Sequence, residues 1–196
     1  MDSKQITLGL AAILGIGVLV AAGFYVYTPT PEETETPDPA EEMAPTTFNS
    51  TELGLMFEYP NNYTLQTHEQ GTGERMWTVL TLIDSEILRS AIENGASEGP
   101  PAIAIQIFDN QEGYTAEEWI KGSSYSNYKL SFDETLTPTL IDTEGGLAYR
   151  YSGLFETDAV VVVHGDRVYM FSVDWLTAED ENIDDFMKLL KTVSFY

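Results

Sequence analysis

Two histidines, His68 and His164, and no cysteine stand among the 196 residues, which closes most soft-metal and thiolate chemistry. A zinc site wants three or four ligands at recognisable spacing; with no Cys and no H-x-x-x-H, carboxylates would have to supply the rest. His164 directly precedes Gly165 and Asp166, which marks it as a surface turn residue. Without cysteine there are also no disulfides, no thiol nucleophile and no lipid-bearing cysteine of a bacterial lipoprotein. A hydrolase serine on a strained turn would show G-x-S-x-G, but the nearest stretch, "KGSSYSN" (121–127), lacks the second glycine and reads as a loop after a helix. "GTGERMW" (71–77) has glycines without the Lys-Ser or Lys-Thr of a phosphate cradle, and a hairpin turn accounts for them.

Carboxylates are the abundant functional group, paired at Glu117–Glu118, Asp133–Glu134, Asp180–Glu181 and Asp184–Asp185. Glycosidase-type hydrolysis needs two of them facing across a cleft, which no linear spacing reveals. The D-x-D-x-D-G loop of a calcium site is absent. In "AEDENIDDFMKLLKTV" the acids fill the first turns and Lys188 and Lys191 lie near the end, as the helix dipole favours, with Asp184 and Lys188 spaced for an i,i+4 pair. Aromatic rows recur at strand spacing: Tyr149 with Tyr151, and Tyr169, Phe171 and Val173 with Trp175. Such rows normally meet covering helices; an exposed platform or a ligand pocket is the functional alternative. Asn49 ("NST") and Asn62 ("NYT") are N-glycosylation sequons, of consequence where a host glycosylates exported chains. No catalytic, cofactor-binding or metal-binding residue is assigned from these patterns, and no cofactor is expected.

The elements that would position these groups follow from periodicity. "AIAIQIFD" (102–109) places Ile103, Ile105 and Ile107 on one strand face and Ala104, Gln106 and Phe108 on the other. "AVVVVHGDRVYMFSVDW" (159–175) reads as two strands joined at Gly165 and Asp166, and a similar turn is expected at Gly145 and Gly146. "MWTVLTLI" adds another strand. In "GLMFEYPNNYTLQ" (54–66), Leu55, Phe57 and Tyr59 form a core-facing row and Pro60 cannot continue the ladder. Asn61 and Asn62 are then expected to turn the chain so that Tyr63 and Leu65 return as the partner strand, a hairpin corner. "YTAEEWIK" opens on a capping box, Thr115 with Glu118, and packs Trp119 and Ile120. The last helix is expected to pack Ile183, Phe186, Met187, Leu190 and Val193, and "DSEILRSAIENG" (84–95) is a shorter helical patch. Val160 to Val163 are apolar on both strand faces, so that strand is expected to be covered from both sides.

Three segments follow. Residues 6–27 form a 22-residue run without a charge, which at 1.5 Å per residue reaches about 33 Å and can span a bilayer. A cleavable secretory signal is the alternative, with Ala21 and Gly23 as small residues before a cut, but the run continues through Phe24 to Tyr27, where the tyrosines resemble an interfacial belt. Lys4 is the only Lys or Arg before Arg75, so the N-terminus is expected in the cytoplasm and everything after Tyr27 outside. Small residues at four-residue spacing, Ala11 with Gly15 and Gly17 with Ala21, would let two such helices approach. Residues 28–47 hold five prolines and six acids and no base, the composition of a disordered tether of up to about 60 Å. Residues 48–196 are long enough to bury a core and carry 25 acids against 8 bases, a formal −17 within the −23 of the whole chain. That balance argues against nucleic acid and against anionic lipid surfaces as partners. It leaves two readings: a surface built for solubility, as a salty medium would favour, or acids that gather divalent cations.

The order "GLMFEYPNNY", "IQIFDN", "YTAEEWI", "GGLAYRYSG" and "VYMFSV", followed by an amphipathic helix, resembles the PsbP-like domains over nearly all of residues 53–196. That family is typified by the extrinsic photosystem II protein and has many uncharacterised bacterial relatives. The resemblance implies an α+β fold, an antiparallel-rich sheet flanked by helices on both faces as an α/β/α sandwich, with roles in binding or assembly. Tyr63 stands where a tryptophan is more usual, and the motifs are structural, so no functional residue is carried over. The expectation is a non-catalytic module, tethered to the lipid bilayer through residues 6–27, that binds a protein partner in the cell envelope. A small-ligand or divalent-cation binder and a carboxylate-based hydrolase are the alternatives.

Overall fold

The computed structural model describes residues 44–196 except 74, 96–98, 132–133, 142–145 and 154–155. The expected membrane span, most of the tether, Asp133 and Gly145 lie outside the described residues, and Gly146, expected in a turn, instead opens a strand opposite Ile141. No helix among the described residues is long and apolar enough to cross a membrane.

The fold is mixed α+β, dominated by a seven-stranded antiparallel sheet and served by few helices. The strands among the described residues are β1 (Thr46–Ser50), β2 (Leu55–Tyr59), β3 (Tyr63–Thr72), β4 (Arg75–Asp84), β5 (Ile103–Asp109), β6 (Thr137–Ile141), β7 (Gly146–Ser152), β8 (Thr157–His164), β9 (Arg167–Asp174) and β10 (Ser194–Phe195). The helices are α1 (Ser85–Glu93), α2 (Ala116–Gly122) and α3 (Glu181–Leu190), with a short 3₁₀ turn at Tyr128–Leu130. Strand β1 takes in Thr46 and Thr47, the last residues of the segment read as tether, because Thr46 pairs with Tyr59 and Thr47 with Glu58.

The large sheet runs β3-β4-β5-β9-β8-β7-β6, and β1, β2 and β10 form a separate three-stranded sheet. This overturns the expected hairpin at Pro60. Strand β2 pairs with β1 and β10, whereas Tyr63 and Leu65 pair with Asp84 and Leu82 of β4. Pro60 does end a strand and a turn does follow, closed by Tyr63 N–H donating to the Pro60 carbonyl at 3.1 Å, but the chain uses it to pass from one sheet to the other. The row of Leu55 and Phe57 is still core-facing, since both are fully buried. Gly54, at φ +64°, brings the turn before β2 against β9: a Cβ there would lie 3.2 Å from the Tyr169 hydroxyl, which donates to the Leu53 carbonyl at 2.9 Å.

The two-face reading of β5 and β8 is what the structure has. Ile103, Ile105, Ile107, Val160 and Val162 join Tyr169, Phe171 and Val173 in one buried cluster that takes in Leu55 and Phe57 of the small sheet and Phe186 and Leu189 of α3. Phe108 and Val161 join a second cluster with Trp119 and Ile120 of α2, Tyr128 and Tyr151. Strands β8 and β9 turn at Gly165 and Asp166, with His164 opposite Arg167 and Gly165 at φ +59°, where a two-residue loop needs the residue without a side chain. Helix α2 carries its capping box: Glu118 N–H donates to the Thr115 hydroxyl at 3.3 Å, and Thr115 N–H to the Glu118 carboxylate at 2.9 Å. Helix α1 is capped by Asp84, which accepts from Glu86 N–H and Ile87 N–H at 2.8 and 3.0 Å. In α3 the expected Phe186, Met187 and Leu190 pack on the core, as does Val193 beyond the helix end, while Leu189, outside the expected set, is buried beside Phe186 and Ile183 is only half-buried.

Candidate functional site

Among the described residues the histidines and the paired acids do not gather at one place. His68 lies on β3 and His164 on β8, four strands apart, which at about 4.8 Å per strand is roughly 19 Å. The two rings therefore serve separately: that of His164 stacks on Phe195 with centroids 5.1 Å apart, and His68 is exposed. Among the described residues no group of three or more His, Asp or Glu is placed to hold a metal ion.

Four of the paired acids hold local structure. Glu117 bonds Lys121 at 2.5 Å, and that bond holds its carboxyl below the usual range. Glu118 closes the capping box, and the Thr115 backbone N–H lowers it likewise. Asp180 closes a turn, accepting from Leu176 N–H at 2.6 Å and from the Thr177 hydroxyl at 2.7 Å. Asp185 accepts from the Tyr63 hydroxyl at 3.1 Å and from Lys188 at 2.9 Å. The expected Asp184–Lys188 pair is thus corrected: Lys188 turns to Asp185, one residue nearer and already fixed by Tyr63, while Asp184 is exposed.

The aromatic rows are packing. Tyr169, Phe171 and Val173 are buried, with Trp175 packed at their edge; Tyr151 is buried and donates its hydroxyl to the Ser126 carbonyl, and Tyr149 is half-buried above Glu117. "KGSSYSN" is a loop after α2, as expected, in which Ser126 is buried and donates to the Ile120 carbonyl at 2.7 Å. Tyr125 of the same loop lies 4.8 Å from Trp77, centroid to centroid, and closes the second cluster.

What remains is the β6 end of the large sheet. Ile141 and Ala148 turn into the core, so their neighbours Leu140 and Leu147 must face the other way. Directly opposite each other across β6 and β7, they are 74% and 55% exposed. At the same edge, but on the face that Ile141 and Val160 share, is a shallow groove of about 280 Å³ between the sheet and α3, lined by Thr139, Leu140, Ile141, Val160, Met187 and Leu190, with Lys191 at its rim. Pro138 has no N–H to offer, which suits an outermost strand. Arg150, opposite Val160, is held by Asp158 through its Nε at 3.1 Å, and Ser152 donates to the same carboxylate at 2.9 Å. Among the residues lining it, the groove offers apolar contact with a cationic rim and no nucleophile–base pair. Neither leucine stands out in the sequence; the available signal was the alternation in "TLTPTLID", which sets Leu140 opposite in direction to Ile141.

Compared with known family models and with curated proteins, the chain matches none.

Proposed function

We propose that this chain is a non-catalytic, membrane-tethered extracytoplasmic module that binds a protein partner or helps an envelope assembly, built on the α/β/α plan of the PsbP-like domains. Residues 6–27 anchor it in the bilayer with the N-terminus in the cytoplasm, and the tether from residue 28 to the start of β1 holds the folded body away from the membrane. The observation that carries the reading is the exposed Leu140–Leu147 pair at the edge of the sheet, with an apolar groove on the opposite face of the same edge. Adjacent exposed leucines cost solubility and mark a surface that gains by being covered. The acids support contact rather than turnover, because Glu117, Glu118, Asp180 and Asp185 are each engaged in local bonds. The partner is a protein with an apolar patch and a net positive charge, since a formal −17 over residues 48–196 steers cations in and anions away.

The test is cross-linking in the native membrane, comparing the wild-type chain with a Leu140→Ser, Leu147→Ser double variant. Both side chains are exposed, so the variant should keep its circular dichroism spectrum and melting temperature. Loss of the cross-linked partner is the expected result; an undiminished adduct would contradict the assignment.

A further inference from the structure

The contact surface leaves both sequons without a role, and both lie by the opposite edge of the large sheet. Among the described residues strand β3 is outermost there and pairs only with β4, so its ten residues leave an open edge of about 33 Å. An open edge of that length is a template for another chain, usually blunted by lysine, proline or a bulge. Strand β6 at the other edge is half as long and carries Pro138. Strand β3, "YTLQTHEQGT", has no Lys, Arg or Pro and a single acid, Glu69, which accepts from the Thr78 hydroxyl at 2.7 Å.

We propose that Asn62 and Asn49 accept N-linked glycans and that these glycans shield the open edge of β3. The proposal rests on the extracytoplasmic reading above. Asn62 is exposed in the turn between Pro60 and Tyr63, immediately before β3, with Thr64 completing the sequon. Asn49 is exposed at the penultimate position of β1 and, with Thr67 and Glu69 of β3, lines an open recess. One glycan would start at the beginning of β3 and the other beside its middle, at the edge opposite the one that carries Leu140. The donor is a saccharide linked through phosphate to a lipid. Its sugar C1–O bond breaks, the lipid phosphate leaves with the electron pair, and C1 bonds to the asparagine Nδ2, which gives up one proton. One N–H remains on that nitrogen. Asn62 Nδ2 donates to Asp84 Oδ2 at 2.6 Å, so the modified side chain can keep its bond to the α1 cap.

The test is peptide mass analysis of the full chain purified from its native membrane, with protease added to intact cells in parallel. Glycan mass on Asn62 and Asn49 is expected, lost at Asn62 in Thr64→Ala and kept in Thr64→Ser. The Asn49→Gln, Asn62→Gln double variant should aggregate several-fold faster by light scattering. Bare asparagines on a domain that external protease releases would overturn glycosylation and leave the topology standing. Bare asparagines on a domain shielded until lysis would overturn both. Glycosylated asparagines whose removal leaves aggregation unchanged would overturn the shielding role.

Discussion

Arg150 and Asp158 show what a single ion pair does here. The Asp158 side chain is 11% exposed and Arg150 40%, and the pair fixes neighbouring strands behind the Leu140–Leu147 surface. Removing the guanidinium leaves a nearly buried carboxylate with Ser152 still donating to it, so Arg150→Ala should cost roughly 2 to 3 kcal/mol. Lys121→Ala, which breaks an exposed pair with Glu117, should leave the urea midpoint almost unmoved. Equal losses in the two variants would contradict this ranking. Tyr151 gives the pH dependence: burial raises its phenol well above the usual value. Below about pH 10 the phenol is neutral in folded and unfolded chains alike, and its contribution is fully present. Above that, the unfolded chain releases the proton and the folded one keeps it, so stability falls with rising pH, by up to about 1.4 kcal/mol per unit from this group. Urea unfolding from pH 9 to 11 should show a shallower slope in Tyr151→Phe; identical slopes would show that Tyr151 is not the group responsible.

At the scale of elements, α3 separates periodicity from packing. Leu189 is buried and Ile183 only half-buried, so Leu189→Ala should cost roughly 3 kcal/mol and Ile183→Ala about 1, measured by urea denaturation. The reverse order would mean the helix presents another face. The residues legible in sequence were those whose environment is set by near neighbours: the alternation of β5, the Gly165–Asp166 turn and the Thr115–Glu118 capping box each depend on a few adjacent positions. Pro60 was legible as a strand end, but where the chain went next was not. The partners of β2 are Thr46–Ser50 and Ser194–Phe195, the latter more than 130 residues away, and local pattern carries no record of such pairing. The same limit hid the exposed leucine pair: Leu140 and Leu147 look like any strand leucines until the sheet order makes β6 an edge.

At the scale of the whole molecule, charge and architecture divide the work. Twenty-five acids against eight bases over residues 48–196 keep copies apart, and on the proposed reading they steer a cationic partner to the exposed leucines of the β6 edge. Both matter only if the folded body is held outside the membrane by the greasy N-terminal segment. The direct measurement is a broad-specificity protease added to intact cells, followed by mass analysis of what is released. The account predicts cleavage before Thr46, within residues 28–45, and release of a folded fragment of about 151 residues that resists further digestion. A domain that stays attached and uncut until the cells are lysed would contradict it.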